Sequence, residues 1–414
     1  MRSPEANLPA NTVRGHDPPN AEPSSGDRVL IVVPQPFYSD RGSPIAIREV
    51  VRGHLDLGHH VDVVTFPVGE DFPGERLRFF RAANPLRIRQ VPVGFSIRKV
   101  LLDLTLVLEM RRRLRSQAYQ LVHALEETAF PAVFLARRAR IPVLYDMHSR
   151  LTDGLVRLPG MKRGPLRRAA RRCEEWLFRN ADVVVTSKGL ADQVRAVCPE
   201  ARLFEWHFSG TLGDGSKSGQ VSLRESLKIP AEAPVVLYSG TFSEYQGIDL
   251  FLEAAALLRE SAPNAVFVLV GCEAGQAGGA LAIARGLGVE DQIRIVDRQP
   301  RSRMHAYFTM ADILVSPRIS GDNVPLKIFD YLAADRPIVA TDIPTHRTVL
   351  DESMALLAPP TAPDLSEAIA HVLQDPNVGE RLRKGAREYA AKHLGWALFV
   401  DSLSRIHQAA VNGR

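Results

Sequence analysis

Short runs of β-branched residues recur along this chain, each followed by room for a helix, and the series runs twice. Residues 28–33 read Arg-Val-Leu-Ile-Val-Val and residues 60–65 read His-Val-Asp-Val-Val-Thr. Segments 119–123, 142–146 and 181–187 continue in the same style. The pattern restarts at 234–239 and continues at 265–270, 291–296, 311–316 and 337–341. Most of these runs lack the apolar–polar alternation of a half-exposed strand. Both of their faces must therefore be covered, as in a parallel sheet with helices on each side. Strand, loop, helix, strand, repeated, is the doubly wound α/β class. A chain of 414 residues is too long for a single core of this kind, so two such domains are expected.

The boundaries follow from local composition. Residues 1–26 hold five prolines and no apolar stretch, which predicts a tail without fixed structure rather than a signal peptide. Residues 27–208 form the first predicted domain. Residues 209–222 are rich in Gly and Ser and read as a linker. Residues 223–394 form the second domain, and 395–414 a last helix. A hydrophobic share of 45% and a charged share of 24% suit a globular protein. No uncharged apolar run reaches 18 residues, which excludes a spanning helix. Three cysteines (Cys173, Cys198 and Cys272) without CxxC spacing argue against a disulfide framework or a structural zinc ribbon, and suit a reducing cytoplasm.

Charge is uneven. Residues 1–210 carry 32 Lys and Arg against 23 Asp and Glu, and the remainder 20 against 24. An anionic partner or surface for the first half is one reading, and a solvated basic face the other.

The segment from Ser316 to Ala334 holds the densest chemistry. A strand ends, a polar loop with Gly321 follows, and a helix is predicted from about Pro325. A helix start after a strand attracts anions, because its free N–H groups and its dipole point the same way. Lys327 in the first turn opposes that dipole unless it serves a bound phosphate. Asp322 and Asp330, eight residues apart, bracket the turn and can accept hydrogen bonds from sugar hydroxyls. An Asp-capped, solvated helix is the alternative.

The string Asp322-Asn-Val-Pro-Leu-Lys-Ile-Phe-Asp330 resembles the E-x7-E segment of retaining GT-B glycosyltransferases of family 4. That resemblance implies two Rossmann-like domains facing a central cleft, with the last helix returning to the first domain. It implies transfer of a hexosyl group from a nucleotide-diphospho-sugar to a hydroxyl acceptor, without a cofactor or a metal. Asp322 would then contact the donor sugar, Asp330 the ribose hydroxyls and Lys327 the phosphates. Asn323, Val324, Pro325 and Leu326 would line the donor. Both acids are Asp where the family usually has Glu, and Asn323 replaces a usual Gly.

Other segments match in order. Gly42 and Ser43 fall in the first strand–helix loop, which in the family is Gly-rich and approaches donor and acceptor. His148, after the strand at 142–146, matches a family His near the reacting centre. His123 matches another strand end and would line the cleft. The neighbouring Glu126 and Glu127 are weaker candidates for an acceptor hydroxyl. The clearest departure is at 238–248. The family carries Arg and Lys on the donor pyrophosphate, and here Thr241, after Gly240, and Gln246 stand in their places. Lys327, Arg318 and Arg298 are the cations available to compensate. A family Asn-Gly-Val-Asp element is replaced by Trp206-His-Phe-Ser-Gly210.

Ile97, Val100, Leu101, Leu104 and Leu108 recur at helical spacing beside Arg98, Lys99 and Arg111 to Arg113. A face of this kind suits peripheral contact with an anionic membrane and a lipid-linked glycan acceptor in polysaccharide or glycolipid synthesis, or else a core-facing helix. His54, His59 and His60 cluster in sequence, and a helix-to-strand turn is preferred over metal binding there. No P-loop or dinucleotide fingerprint follows a strand, and no nucleic-acid module is present. A nucleotide-sugar epimerase or a non-catalytic nucleotide-sugar-binding protein on the same scaffold remain the alternatives.

Overall fold

The computed structural model describes residues 26–37, 42–85, 87–89, 91, 96–150, 152, 165–206, 209–210, 223–273, 275–321 and 324–413. Two parallel sheets organise them. The first comprises β1 (Arg28–Val33), β2 (His60–Thr65), β3 (Leu77–Arg81), β4 (Leu121–Leu125), β5 (Val143–Met147), β6 (Val183–Thr186) and β7 (Leu203–Glu205). Its order is β3-β2-β1-β4-β5-β6-β7. The second comprises β8 (Val235–Ser239), β9 (Val266–Cys272), β10 (Ile293–Asp297), β11 (Ile313–Ser316), β12 (Ile338–Thr341) and β13 (Leu356–Ala358). Its order is β10-β9-β8-β11-β12-β13. In each sheet the winding reverses next to the first strand, and ligands of doubly wound sheets bind at that point, outside the carboxyl ends of the strands.

Each sheet is covered on both faces. Leu30 and Val32 of β1 pack into one cluster, and Val29, Ile31 and Val33 into the opposite one. In β8 the pairs Val235/Leu237 and Val236/Tyr238 divide in the same way. This is why the runs show no polar alternation.

The last helix (Trp396–Val411) packs on the first sheet, not on the second. Phe399, Leu403, Ile406 and Ala410 repeat at helical spacing and enter the cluster that holds β1 and the first helix (Gly42–Asp56). Gly53 permits the close approach: a Cβ there would lie 2.7 Å from Leu403 Cδ2 and 3.0 Å from Phe399 Cε1. Trp396 Nε1 donates to Asp56 Oδ2 at 2.7 Å. A mid-helix glycine weakens a helix by about 1 kcal/mol, and here it lies directly against the returning helix.

The helix Ile97–Ser116 separates the two readings of its apolar stripe. Its core face is Leu102, Leu106 and Met110, all buried. Val100, Leu101, Leu104 and Leu108 stand exposed, the last two at 57% and 63%. These four members of the apolar stripe therefore do not face the core.

Candidate functional site

In the second domain, β8 runs into Gly240 and Thr241 and β11 into Pro317 and Arg318, neighbouring strands at the winding reversal. Gly240 has φ +142°, and a Cβ there would lie 2.7 Å from Tyr238 Oη and 3.3 Å from Lys327 Nζ. Lys327 opens the helix Lys327–Ala333 and folds back under this turn. Its Nζ donates to Gln246 Oε1 at 3.0 Å and lies 4.1 Å from the centre of the Tyr238 ring. Among the described residues no carboxylate pairs with it. Burial, then the like charge of Arg318, holds the Lys327 ammonium well below its ordinary range. Arg318 is itself buried, donates to the Ser320 carbonyl at 2.7 Å and lies over Tyr245. The half-buried Lys327 and the buried Arg318, close together beneath a glycine turn, form a place where an anion is favoured.

The helix that Lys327 opens is only seven residues long and starts two residues after Pro325. Its dipole is therefore short, and the positive potential here comes chiefly from side chains. Val324 and Leu326 are half-buried and Pro325 is buried. Asp322 and Asn323 lie outside the described residues.

One turn further on, Asp330 lines a crevice between the domains with Ile45, Ala46, Glu49, Gly210, Arg301, Leu326 and Phe329. Arg301 Nη2 donates to Asp330 Oδ1 at 2.9 Å and lies 3.4 Å from Glu49 Oε1 of the first helix. Burial pushes the Asp330 carboxyl up to about 6, Arg301 pulls it down and Glu49 raises it. Sequence reasoning found Asp330 but not the arginine that bridges it to the other domain.

The first domain places a different set at its strand ends. Asp146 of β5 is buried and takes three partners: His148 Nε2 at 3.2 Å, His123 Nε2 at 3.1 Å and Trp206 Nε1 at 2.8 Å. Burial alone would raise the Asp146 carboxyl, but the two histidines hold it well below the usual range. Burial likewise opposes a charged His148, yet Asp146 pushes that imidazole up to about 9. Glu126, at the end of β4, accepts from Ser149 Oγ at 3.2 Å. Burial pushes its carboxyl up to about 7, and His148 works against that rise. Its φ of +46° is a left-handed conformation that non-glycine residues seldom hold, and strain of this kind collects at functional sites. Asp146 was passed over in the sequence because it reads as part of a strand. His123 packs against Trp206 beside it, with ring centres 6.2 Å apart.

The remaining candidates are placed as follows. Gly42 and Ser43 open the first helix rather than lying in the loop before it, because the helix begins at Gly42, ahead of Pro44. Thr241 is exposed, and its hydroxyl lies 3.3 Å from that of Ser243. Arg298 follows the edge strand β10, two strands from β8, and its N–H donates to the Cys272 carbonyl at 3.0 Å. Gln246 is buried against Lys327, so a lysine there would meet another cation at hydrogen-bond distance.

Sheet order, charged groups at both sets of strand ends and a crevice between two Rossmann-like domains define a GT-B architecture. Solved structures agree in fold. Sucrose-phosphate synthase from Thermosynechococcus elongatus superposes with a TM-score of 0.77 at 20% identity, covering 94% of this chain and all of that one. Anabaena HepE in complex with UDP-glucose superposes at 0.68 and 15% identity, covering 92% of this chain and 98% of that one. The family model "Glycosyl transferase 4-like domain" matches residues 41–205, and "Glycosyl transferases group 1" matches 220–390. The chain belongs to the family-4 glycosyltransferases. A D-inositol 3-phosphate glycosyltransferase of Nocardiopsis dassonvillei is 26% identical over 97% of this chain and 95% of its own length.

Proposed function

We propose that this glycosyltransferase moves a hexosyl group from a nucleotide-diphospho-sugar to an acceptor hydroxyl, with retention at the anomeric carbon. The observation that carries this reading is Lys327, half-buried near the buried Arg318 under the Gly240 turn, with no carboxylate beside Lys327 among the described residues. A diphosphate brings negative charge to Lys327, and its leaving is eased where a cation is already in place. Asp330 accepts from the ribose. Gly240, Thr241, Val324, Pro325 and Leu326 line the donor, as do Asn323 and the first-helix residues Gly42 and Ser43, and Asp322 holds the sugar. His148, charged at neutral pH through Asp146, donates to a sugar hydroxyl beside the reacting carbon. The departing phosphate takes the acceptor's proton on the same face. The transfer itself uses no metal and no cofactor.

The acceptor is a lipid-linked glycan reached from an anionic membrane surface. The exposed Val100, Leu101, Leu104 and Leu108, set among Arg98, Arg111 and Arg112, support that reading. No helix among the described residues is long and apolar enough to cross a membrane. The cation surplus of residues 1–210 favours a second reading, a free anionic polyol such as the acceptor named for the inositol-phosphate relatives.

The test is a donor screen. Purified protein meets UDP-, GDP- and ADP-sugars with a bacterial lipid extract, with inositol phosphates, or alone, and mass spectrometry scores released nucleoside diphosphate and the product. Release by one donor that needs an acceptor, survives EDTA and is lost in Lys327→Ala supports the proposal. Tight nucleotide binding with no release from any donor would overturn it.

A further inference from the structure

His54, His59 and His60 are neighbours in sequence, but the fold separates them. His60 opens β2 with its side chain exposed. His54, in the last turn of the first helix, and His59, after it, are brought together by the tight turn at Gly58 (φ +84°), where the His59 N–H donates to the His54 carbonyl. The third member arrives from 348 positions further along the chain: His407, on the returning last helix. One ring nitrogen from each of His54, His59 and His407 lies within 4.8 Å of the other two.

The nitrogens are arranged as ligands need. His54 Nδ1 and His59 Nδ1 are 3.1 Å apart. In a tetrahedral site with metal–nitrogen bonds of about 2.1 Å, neighbouring ligand atoms lie about 3.4 Å from each other. The His59 and His407 rings are 4.4 Å apart, centre to centre. His407 Nε2 donates to Asp27 Oδ2 at 2.7 Å. That bond assigns its proton to Nε2 and leaves Nδ1 with a bare lone pair. A carboxylate behind a histidine fixes the ring and raises its basicity, as it does for metal-bound histidines. His407 Nδ1 and His54 Nε2 are buried and have no hydrogen-bond partner among the described residues. Hydrogen bonding inside the cluster therefore leaves His407 Nδ1 without a role.

We infer that His54, His59 and His407 form a binding site for one divalent first-row transition ion of the zinc type, with Asp27 orienting His407 and solvent completing the shell on the half-exposed His59 side. Imidazole ligands suit such ions, and calcium or magnesium would require oxygen donors. The site ties the last helix to the first helix and to the start of β1. It is distinct from the donor site, and its consequence is a metal-dependent clamp on the returning helix. Through His123, whose ring centre lies 5.9 Å from that of His54 and whose Nε2 meets Asp146, the clamp adjoins the His148 group.

The experiment uses the full chain without a polyhistidine tag, stripped with EDTA and dialysed. Zn²⁺ is titrated against a chromogenic chelator, Co²⁺ is followed by its visible ligand-field absorption, and the thermal midpoint is read with and without Zn²⁺. We expect one ion per chain, a tetrahedral Co²⁺ spectrum and a midpoint that rises with Zn²⁺. His59→Asn, at a half-exposed position, should lose at least tenfold in affinity and lose the Zn²⁺-dependent rise. His407→Gln should do the same, and His60→Asn should change neither. Circular dichroism identifies any variant that fails to fold, and the His59→Asn and His60→Asn pair decides the matter if His407→Gln does. No stoichiometric binding by folded wild-type protein, or equal binding by His59→Asn, overturns the inference.

Discussion

The two sheets share a topology but carry opposite chemistry at their carboxyl ends. The first gathers acids and histidines in mutual contact: Asp146 with His148 and His123, and Glu126 against Ser149. The second sets the half-buried Lys327 near the buried Arg318 and places no described carboxylate against that lysine. A set that is balanced within itself is preorganised to exchange hydrogen bonds with neutral hydroxyls. A lysine with no described carboxylate against it leaves room for an anion. The difference teaches that one fold, duplicated, carries different chemistry at its two sets of strand ends; in the proposed reaction these would handle sugar hydroxyls and hold the leaving group.

The largest effect should come from the unbalanced side. Lys327→Ala removes the cation proposed to face the leaving diphosphate and should lower kcat/KM about 10²–10³-fold, the usual range for one charge-stabilising donor. A loss under tenfold in steady-state kinetics would erase the asymmetry between the two ends.

His148→Gln tests the balanced side. We expect about 10²-fold in kcat, the low end for a positioned proton donor. The same variant carries a pH signature. His148 is raised from its ordinary 6.5 to about 9 by Asp146. The folded state therefore binds this proton more tightly than the unfolded chain does. Its stabilisation, about 2 kcal/mol for a charged hydrogen bond, is fully present below pH 6.5 and is lost as pH rises through about 9. Wild type should melt well above His148→Gln at pH 6 and close to it at pH 10. A gap that widens with pH would show that Asp146 does not hold the proton on His148.

Gln246→Lys sharpens the comparison from the other direction. It restores a family cation but sets it against Lys327. The free variant should lose about 1–3 kcal/mol in urea unfolding, the penalty of an uncompensated buried charge. Nucleoside diphosphate should recover most of that loss, more than it adds to wild type.

Smaller still is the expected effect of Leu104→Ser with Leu108→Ser. These exposed positions should change stability by less than about 0.5 kcal/mol. Flotation with vesicles containing phosphatidylglycerol should nonetheless fall several-fold. Unchanged flotation would remove the membrane from the proposal and leave the free anionic acceptor.

Much of the fold was readable because its strands are buried on both faces, which writes an uninterrupted apolar run into the chain. The strands that escaped, β3, β7 and β13, are short edge strands with half-buried residues such as Leu77, Leu203 and Leu356, and they leave little pattern. The side proposed to hold the donor could be picked out through Lys327 and Asp330, which sit in one continuous segment. Arg301 was not, because its partners Asp330 and Glu49 belong to different domains. The strained backbone of Glu126 could not be read, because it is a property of the folded turn.

The sequence alone determined the doubly wound class, the two domains and the local strings that carry the family. Each depends on interactions within about 30 residues, the span of one βαβ unit. Tertiary structure decided which charges are balanced. Lys327 meets Gln246 and Tyr238 because β8 and β11 are neighbours, and Asp146 is a saturated carboxylate because His123, His148 and Trp206 converge on it. It also separated His60 from His54 and supplied His407 in its place. Burial and pairing are set by which distant segments the core brings together, and no local pattern of residues encodes that distance.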